Sequence, residues 1–294
     1  MKKQFKPKTK EELHKLVEDE NINLGSIDTS LITDMSKLFE DSERKDFSGI
    51  ETWDTSNVED MSYMFEVAES FNHNINNWNV SNVKDMGGMF EGASSFNQPL
   101  DKWDVSNVVN MEWMFSSASS FNQPLNNWNV SNVKDMGHMF CGAKSFNQPL
   151  DNWNVSKVEN MGDMFSGTDS FNQSLDKWDV SNVRDMSSMF NWATSFNQPL
   201  NSWNVSKVEN MGGMFSGAKS FNQPLDNWNV SKVENMGYMF SSTDSFNQSL
   251  DKWDVSNVSS MSGMFRNCTN FNQPLDNWDV SKVENMRSMF ENAK

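Results

Sequence analysis

The chain has 294 residues, of which 36% are hydrophobic and 22% are charged, and its formal net charge is −16. Binding to phosphate backbones depends on Lys and Arg, so this acidic balance argues against a nucleic-acid partner and favours a basic protein surface, a sugar or a cation. No apolar run approaches the roughly 18 residues of a membrane helix. Residues 1–20 contain six lysines and no hydrophobic stretch, so we expect no signal peptide.

The first predicted element is an amphipathic helix from about Thr9 to Glu18. Thr9 and Glu12 have the spacing of a capping box, and apolar residues follow at helical spacing from Leu13. We expect residues 1–23 to form an N-terminal helical cap.

The rest of the chain, residues 24–294, is predicted to be a repeat solenoid. Tryptophan recurs every 25 residues from Trp53 to Trp278 without a slip. A unit this short cannot bury its own apolar face, so neighbouring units must stack. Residues 24–52 form a degenerate first coil, regular coils start at residue 53, and residues 278–294 form a truncated last coil.

Two methionine columns and two phenylalanine columns identify the predicted core. Of the 22 methionines, 20 lie in two columns of the repeat, and 19 of the 22 phenylalanines lie in two others. A side chain that returns at the same place in every coil is most simply a core residue. The same reasoning predicts that Cys268 is buried filler in a column of small residues.

Each coil is predicted to contain one short strand and one short helix or 3-10 turn. Leu100, Trp103 and Val105 have the spacing of a strand whose copies form a parallel sheet on one face. Ser56 and Glu59 repeat the capping-box spacing ahead of an apolar stripe, which predicts a helix after Ser56. The expected fold is an α/β repeat solenoid of about ten 25-residue coils. Repeated asparagines are expected to form a ladder of side chains, among them Asn97, Asn122 and Asn147.

Catalytic and metal-binding patterns are poorly represented. The three histidines are scattered, and only His138 and Cys141, three residues apart, could form a reactive pair. A calcium site built from Asp60, Asp85 and Asp135 is conceivable, but the sequence contains no EF-hand loop. We therefore predict a protein that is not an enzyme and has no cofactor or metal.

The candidate partner-binding residues are aromatic side chains in columns that otherwise vary. They are Tyr63, Trp113 and Tyr238 in one column and Trp192 in another. Exposed aromatics on a rigid scaffold are plausible binding hot spots. The alternative is that each ring covers a gap left by a neighbouring Gly or Ser.

An internal duplication bears on the same two columns. Residues 151–183 and 226–258 are nearly identical and differ only at Asp163 against Tyr238 and at Gly167 against Ser242. Both differences fall in the two variable columns. These columns therefore changed while the rest of the block did not, as expected of a ligand surface or of simple solvent exposure.

The string Trp-Asp-Val-Ser-Asn-Val-x-x-Met-x-x-Met-Phe, followed by Phe-Asn-Gln-Pro-Leu, resembles the 26-residue repeat of bacterial surface proteins with BspA-like leucine-rich repeats. The resemblance covers about residues 24–294, although the period here is 25. It implies a leucine-rich-repeat-like solenoid at a bacterial cell surface that serves adhesion or binds a host protein. Without a signal or anchor motif in this sequence, a cytoplasmic location is the alternative.

Together these patterns predict a non-enzymatic protein-binding or adhesion scaffold. The alternative function is a structural spacer or a rod that self-assembles end to end through an uncapped C-terminal coil. The predicted partner is a protein, such as a host or cell-surface protein.

Overall fold

A computed structural model describes residues 3–293. Its elements are the helix α1 (Lys10–Glu18) and two short 3-10 helices, Leu24–Ser26 and Ile50–Thr52. Single parallel bridges join each coil to the next, beginning with Asp34 to Asp60 and ending with Ser260 to Asn285. Among the described residues, the regular coils from residue 53 onward contain no helix and no strand longer than these bridges.

The predicted N-terminal helix is present and packs on the first coil. The Thr9 hydroxyl accepts the Glu12 amide (3.3 Å), and the Glu12 carboxylate accepts the Lys8 amide (2.7 Å), so the capping residues satisfy free donors at the helix start. Leu13 is fully buried. Arg44 is also buried, and it ties the helix to the first coil because its guanidinium donates to the carbonyl of Val17 (3.0 Å).

The predicted short helix is absent from the regular coils over residues 53–293, although the residues assigned to it make single turns, in which the Met64 amide donates to the Met61 carbonyl (3.2 Å) and the Glu66 amide to the Tyr63 carbonyl (3.2 Å). The same residues also carry a series of hydrogen bonds between coils. In the Trp53 coil, alternate backbone N–H groups donate to carbonyls of the next coil at 2.6 to 3.0 Å. The donors are Met61, Tyr63, Phe65 and Val67, and the acceptors are Asp85, Gly87, Met89 and Glu91. We call residues 60–67, and their equivalents in the other coils, the inter-coil ladder.

Backbone conformation explains why the ladder is not a helix. The residues equivalent to Tyr63 and Val67 have positive φ in every coil, between 53° and 71° from the Trp53 coil onward. A right-handed helix needs negative φ, so two such residues per coil exclude it. The predicted capping box is not used either, because the Ser56 hydroxyl donates to Asp54 (2.7 Å).

The predicted strand is also misplaced. Leu100 to Val105 forms turns and irregular backbone, whereas the bridge of that coil lies at Asn110, downstream of the tryptophan. The coils are therefore held by a hydrogen-bonded ladder of turns instead of a sheet backed by helices. The coarser prediction of a repeat solenoid is confirmed.

The predicted core columns are confirmed. From Met61 to Met264 both methionine columns are fully buried, as are the phenylalanine columns from Phe65 to Phe265 and from Phe71 to Phe246. Equivalent rings stack on each other, with centroids 5.7 Å apart for Phe65 and Phe90 and 6.3 Å apart for Trp53 and Trp78. These spacings exceed the roughly 5 Å per coil expected from strand separation.

Polar side chains in the repeat also bond from coil to coil. The indole N–H of Trp103 donates to the carbonyl of Ile75 (3.2 Å), and the other tryptophans of this column make the equivalent bond. The expected asparagine ladder is present: the Asn97 side-chain oxygen accepts from the Asn122 amide and the Gln123 side chain, both at 3.0 Å. These bonds satisfy the buried indole N–H groups of the repeat, whereas His138 Nδ1 and Arg266 Nε are buried without a hydrogen-bond partner among residues 3–293.

Candidate interaction face

The outward side of the inter-coil ladder forms one continuous surface, which we call the ladder face. Four positions of each coil point onto it, namely those of Ser62, Tyr63, Glu66 and Val67 in the Trp53 coil. The Tyr63 column comprises Tyr63, Gly88, Trp113, His138, Asp163, Ser188, Gly213, Tyr238, Gly263 and Ser288. The Val67 column comprises Val67, Gly92, Ser117, Gly142, Gly167, Trp192, Gly217, Ser242, Asn267 and Asn292. All four predicted binding residues belong to these two columns.

Large side chains in these columns hold an unfavourable backbone conformation. Trp113 has φ 61°, Trp192 has φ 54° and Tyr238 has φ 58°. The left-handed region costs about 1 to 2 kcal/mol for a residue with a Cβ, and Gly, Asn and Asp tolerate it best. Inter-coil hydrogen bonds impose this conformation on whatever residue occurs there. An aromatic residue in these columns therefore adopts a backbone conformation that costs free energy.

Each of the four aromatic rings leans on the next coil. A Cβ added at Gly88 would lie 2.3 Å from the Tyr63 ring, and the same holds for Gly217 with Trp192 (2.7 Å) and for Gly263 with Tyr238 (2.4 Å). In the fourth case Trp113 stacks on His138, with centroids 3.7 Å apart and planes 8° apart. The rings thus fill the space above a small residue or stack on a flat one.

Exposure separates the four rings into two pairs. Tyr63 and Trp113 are half-buried, whereas Trp192 is 51% and Tyr238 46% exposed. The Trp113 indole N–H is also occupied, since it donates to the Glu112 carboxylate (2.9 Å). Trp192 and Tyr238 are therefore the rings available to a partner, with the Lys219 ammonium 5.9 Å from the centre of the Trp192 ring, and Tyr63 and Trp113 contribute mainly to packing.

This division predicts different stabilities for two alanine variants. Trp113→Ala removes a stacked, half-buried ring and should lower the free energy of unfolding by about 2 kcal/mol. Trp192→Ala should change it by less than about 1 kcal/mol, because half of that ring is already in water. Urea unfolding followed by circular dichroism measures both, and equal losses would contradict the division.

Charge also divides the ladder face along the rod. The N-terminal half is acidic, because its charged residues at these positions are Lys37, Glu40, Asp41, Glu66, Glu91, Glu112 and Asp163. From Ser187 to Gly263 none of the four positions per coil is charged, and the next charge is Arg266. The exposed pair Trp192 and Tyr238 lies in this uncharged half.

The acidic half contains a carboxylate with an unusual pKa. Burial, then a hydrogen bond to Glu40 and the charges of Glu40 and Glu91, raises the pKa of Glu66 to about 7. A hydrogen bond from Lys37 lowers the pKa of Glu40, so the proton shared between the two carboxyls resides on Glu66.

A pH-dependent stability follows from Glu66. Its folded pKa lies above the ordinary value of 4.5, so its stabilising contribution is complete below that value and is lost as the pH rises towards 7. Urea unfolding of wild type and of Glu66→Gln is measured at about pH 5 and at about pH 8. Between these two pH values, the free energy of unfolding should fall further for wild type than for Glu66→Gln. A pH-independent difference between the two proteins would show that Glu66 is an ordinary surface carboxylate.

The histidine and cysteine considered for catalysis are close together but unsuited to it. Burial is the main cause of the raised pKa of the Cys141 thiol, which opposes formation of a thiolate. His138 stacks on Trp113, and its Nδ1 lies 3.9 Å from the Asp163 carboxylate, beyond hydrogen-bond range.

The carboxylates considered for calcium accept hydrogen bonds from backbone amides two residues later in the chain. The Asp60 side chain accepts the Ser62 amide (2.8 Å), and the Asp85 side chain accepts the Gly87 amide (2.8 Å). Within residues 3–293, no three His, Cys, Asp or Glu side chains are grouped as metal ligands would be. The same part of the chain contains no helix with the length and hydropathy needed to cross a bilayer.

Comparisons with known proteins identify a family. The family described as "Mycoplasma protein of unknown function, DUF285" matches residues 8–128, 83–176, 114–226, 142–250 and 199–294. No curated protein matches. Among solved structures, the chain is similar to one described as "Crystal structure of TLR13-ssRNA13 complex", at 11% identity and a TM-score of 0.30. That match covers 90% of this chain but 45% of the other, so the chain spans less than half of its length. The five overlapping matches extend along almost the whole repeat array, and the chain therefore belongs to the DUF285 family.

Proposed function

We propose that this protein is a non-enzymatic scaffold that binds a protein partner through its ladder face. The observation that carries the proposal is the exposure of Trp192 and Tyr238, two large rings on a face whose backbone is fixed by hydrogen bonds. Rings held rigidly lose little conformational entropy on binding, which favours them as contact residues. The resemblance to BspA-like repeats supports the same function and an adhesive role at a cell surface.

The composition of the uncharged half supports this proposal. Around Trp192 and Tyr238 the ladder face consists of Ser, Gly and Asn. Antibody binding sites are rich in the same residues, because the aromatics supply contact area and the small polar residues supply adaptable hydrogen bonds. The fold supplies the rigid framework that antibodies obtain from a β-sandwich.

Photo-crosslinking at single positions tests the proposal. A photoreactive phenylalanine at Trp192 or Tyr238, introduced in the producing cells, should give discrete protein adducts that mass spectrometry can identify. The matched control is Asn229, an exposed residue of the repeat outside the ladder face. Adducts from Asn229 equal to those from Tyr238, or none from Trp192 and Tyr238, would contradict the proposal.

A further inference from the structure

The uncharged half of the ladder face contains a shallow groove of about 540 Å³. It crosses four coils, from the Trp178 coil to the Trp253 coil, and Tyr238 lies on its wall. The other large residues of its lining are Asn191 and Asn235, while glycines and serines form the rest. Trp192, next to Asn191, lies against Gly217 beside the groove. The groove thus has a small-residue floor and an aromatic ring near each end.

Polar groups in the groove are left free by the protein. Within residues 3–293, the side chains of Ser187, Asn191, Ser216 and Tyr238 make no hydrogen bond to another residue. The serine of the Trp53 coil behaves differently, because the Ser62 hydroxyl donates to Asp60 at 2.7 Å. The groove therefore presents hydroxyl and amide groups that a ligand can bond without displacing a protein partner.

Size and charge restrict the ligand. A volume of about 540 Å³ lies within the roughly 300 to 1,000 Å³ of small-ligand sites, so the groove has room for a ligand of small-molecule size. No charged side chain lines the groove, although 22% of the residues of the chain are charged. Among the residues that line the groove a charged ligand would find no counter-ion, and the Lys219 ammonium lies outside this lining, 5.9 Å from the centre of the Trp192 ring. A neutral ligand with many hydroxyls is therefore favoured.

We infer that this groove binds a neutral oligosaccharide. The hydroxyls of the sugar would pair with Ser187, Asn191 and Ser216, and its apolar ring face would pack on Tyr238. Trp192 would extend the same contact by one further sugar unit. This inference rests on the proposed function. It says that the partner protein is a glycoprotein and that the ladder face contacts its glycan.

The internal duplication supplies a matched variant. Asp163 occupies the place of Tyr238 in an otherwise almost identical coil, so Tyr238→Asp is expected to fold normally. Binding of the full chain to an array of neutral, sialylated and sulfated glycans should occur at neutral glycans alone. Tyr238→Asp should weaken that binding by at least about tenfold. Asp163→Asn, made in the other block, should leave it unchanged.

Two results would overturn the inference: binding of no neutral glycan, or neutral-glycan binding that Tyr238→Asp leaves intact. Crosslinking at Tyr238 distinguishes the two proposals. One outcome is that adducts persist after enzymatic removal of glycans from the partner and that no glycan on the array is bound. The oligosaccharide inference then fails and the protein-binding function stands. If neither adducts nor glycan binding occur, both proposals fail.

Discussion

Replacing Phe140 with alanine is expected to lower the free energy of unfolding by about 3 to 5 kcal/mol. The Phe140 ring is fully buried and lies among four others, with centroid distances of 5.6 Å to Phe115, 4.1 Å to Phe146, 6.3 Å to Trp153 and 5.7 Å to Phe165. The inter-coil ladder fixes the coil spacing, so the cavity cannot close by local collapse. Equilibrium urea unfolding, followed by circular dichroism, measures the loss.

The position of Phe140 in the array adds a second expectation. In a solenoid each coil contacts only its neighbours, so a weak central coil interrupts the cooperative unit. The variant should therefore unfold with a lower denaturant slope or in two steps. A loss below about 1 kcal/mol would contradict the stacked-core account, and Trp192→Ala is the control for a ring that is half in water.

Replacing Gly88 with alanine should cost about 2 kcal/mol or more, for two separable reasons. Gly88 has φ 61°, which a residue with a Cβ adopts at a cost of about 1 kcal/mol. The added Cβ would also lie 2.3 Å from the Tyr63 ring, which must move away from its packed position. In a Tyr63→Ser background the second cost should disappear, so the double-mutant cycle should give a coupling energy of about 1 kcal/mol.

Gly167→Ala supplies the matched control for Gly88→Ala. Gly167 has φ 65°, but a Cβ there would approach no atom closer than 3.7 Å. The duplicated coil already carries Ser242 at this place, so a side chain is tolerated. Gly167→Ala should therefore show the backbone cost alone. A zero coupling between Tyr63 and Gly88, or equal losses at Gly88 and Gly167, would show that the rings do not rest on the next coil.

The features that could be predicted from the sequence are those set by repetition and by local capping. The period of 25 residues identifies the solenoid, and recurrence of Met and Phe at fixed places identifies the core, because only a buried position demands the same side chain in every coil. The Thr9 and Glu12 pair identifies α1, because a capping box acts between residues close in sequence.

The secondary structure within a coil could not be predicted in this way. Met61 and Phe65 have helical spacing, yet they point inward from a ladder whose hydrogen bonds join residues 24 positions apart. A pattern of spacing does not distinguish these two arrangements, since both bury the same side chains. One signal was present: the Tyr63 and Val67 columns are rich in Gly, Ser, Asn and Asp, residues typical of positive φ and poor in helices.

Part of the candidate face was also readable from the sequence. The four aromatic candidates were found because they interrupt columns of small residues, and three of the four are followed 25 residues later by glycine. That pairing indicates a ring lying on the next coil. What the sequence does not show is exposure, because the burial of Trp113 depends on contacts with another coil, such as the stack on His138.

The inter-coil ladder is the central claim, because it alone places Trp192 and Tyr238 on a rigid outward face. Scalar couplings across hydrogen bonds, measured by NMR on the deuterated protein, test it most directly. The amide nitrogen of Trp113 should couple to the carbonyl carbon of Gly137 in the next coil, where the bond measures 3.0 Å. Coupling from Trp113 to Val109, four residues earlier as in an α-helix, would contradict the ladder and the face built on it.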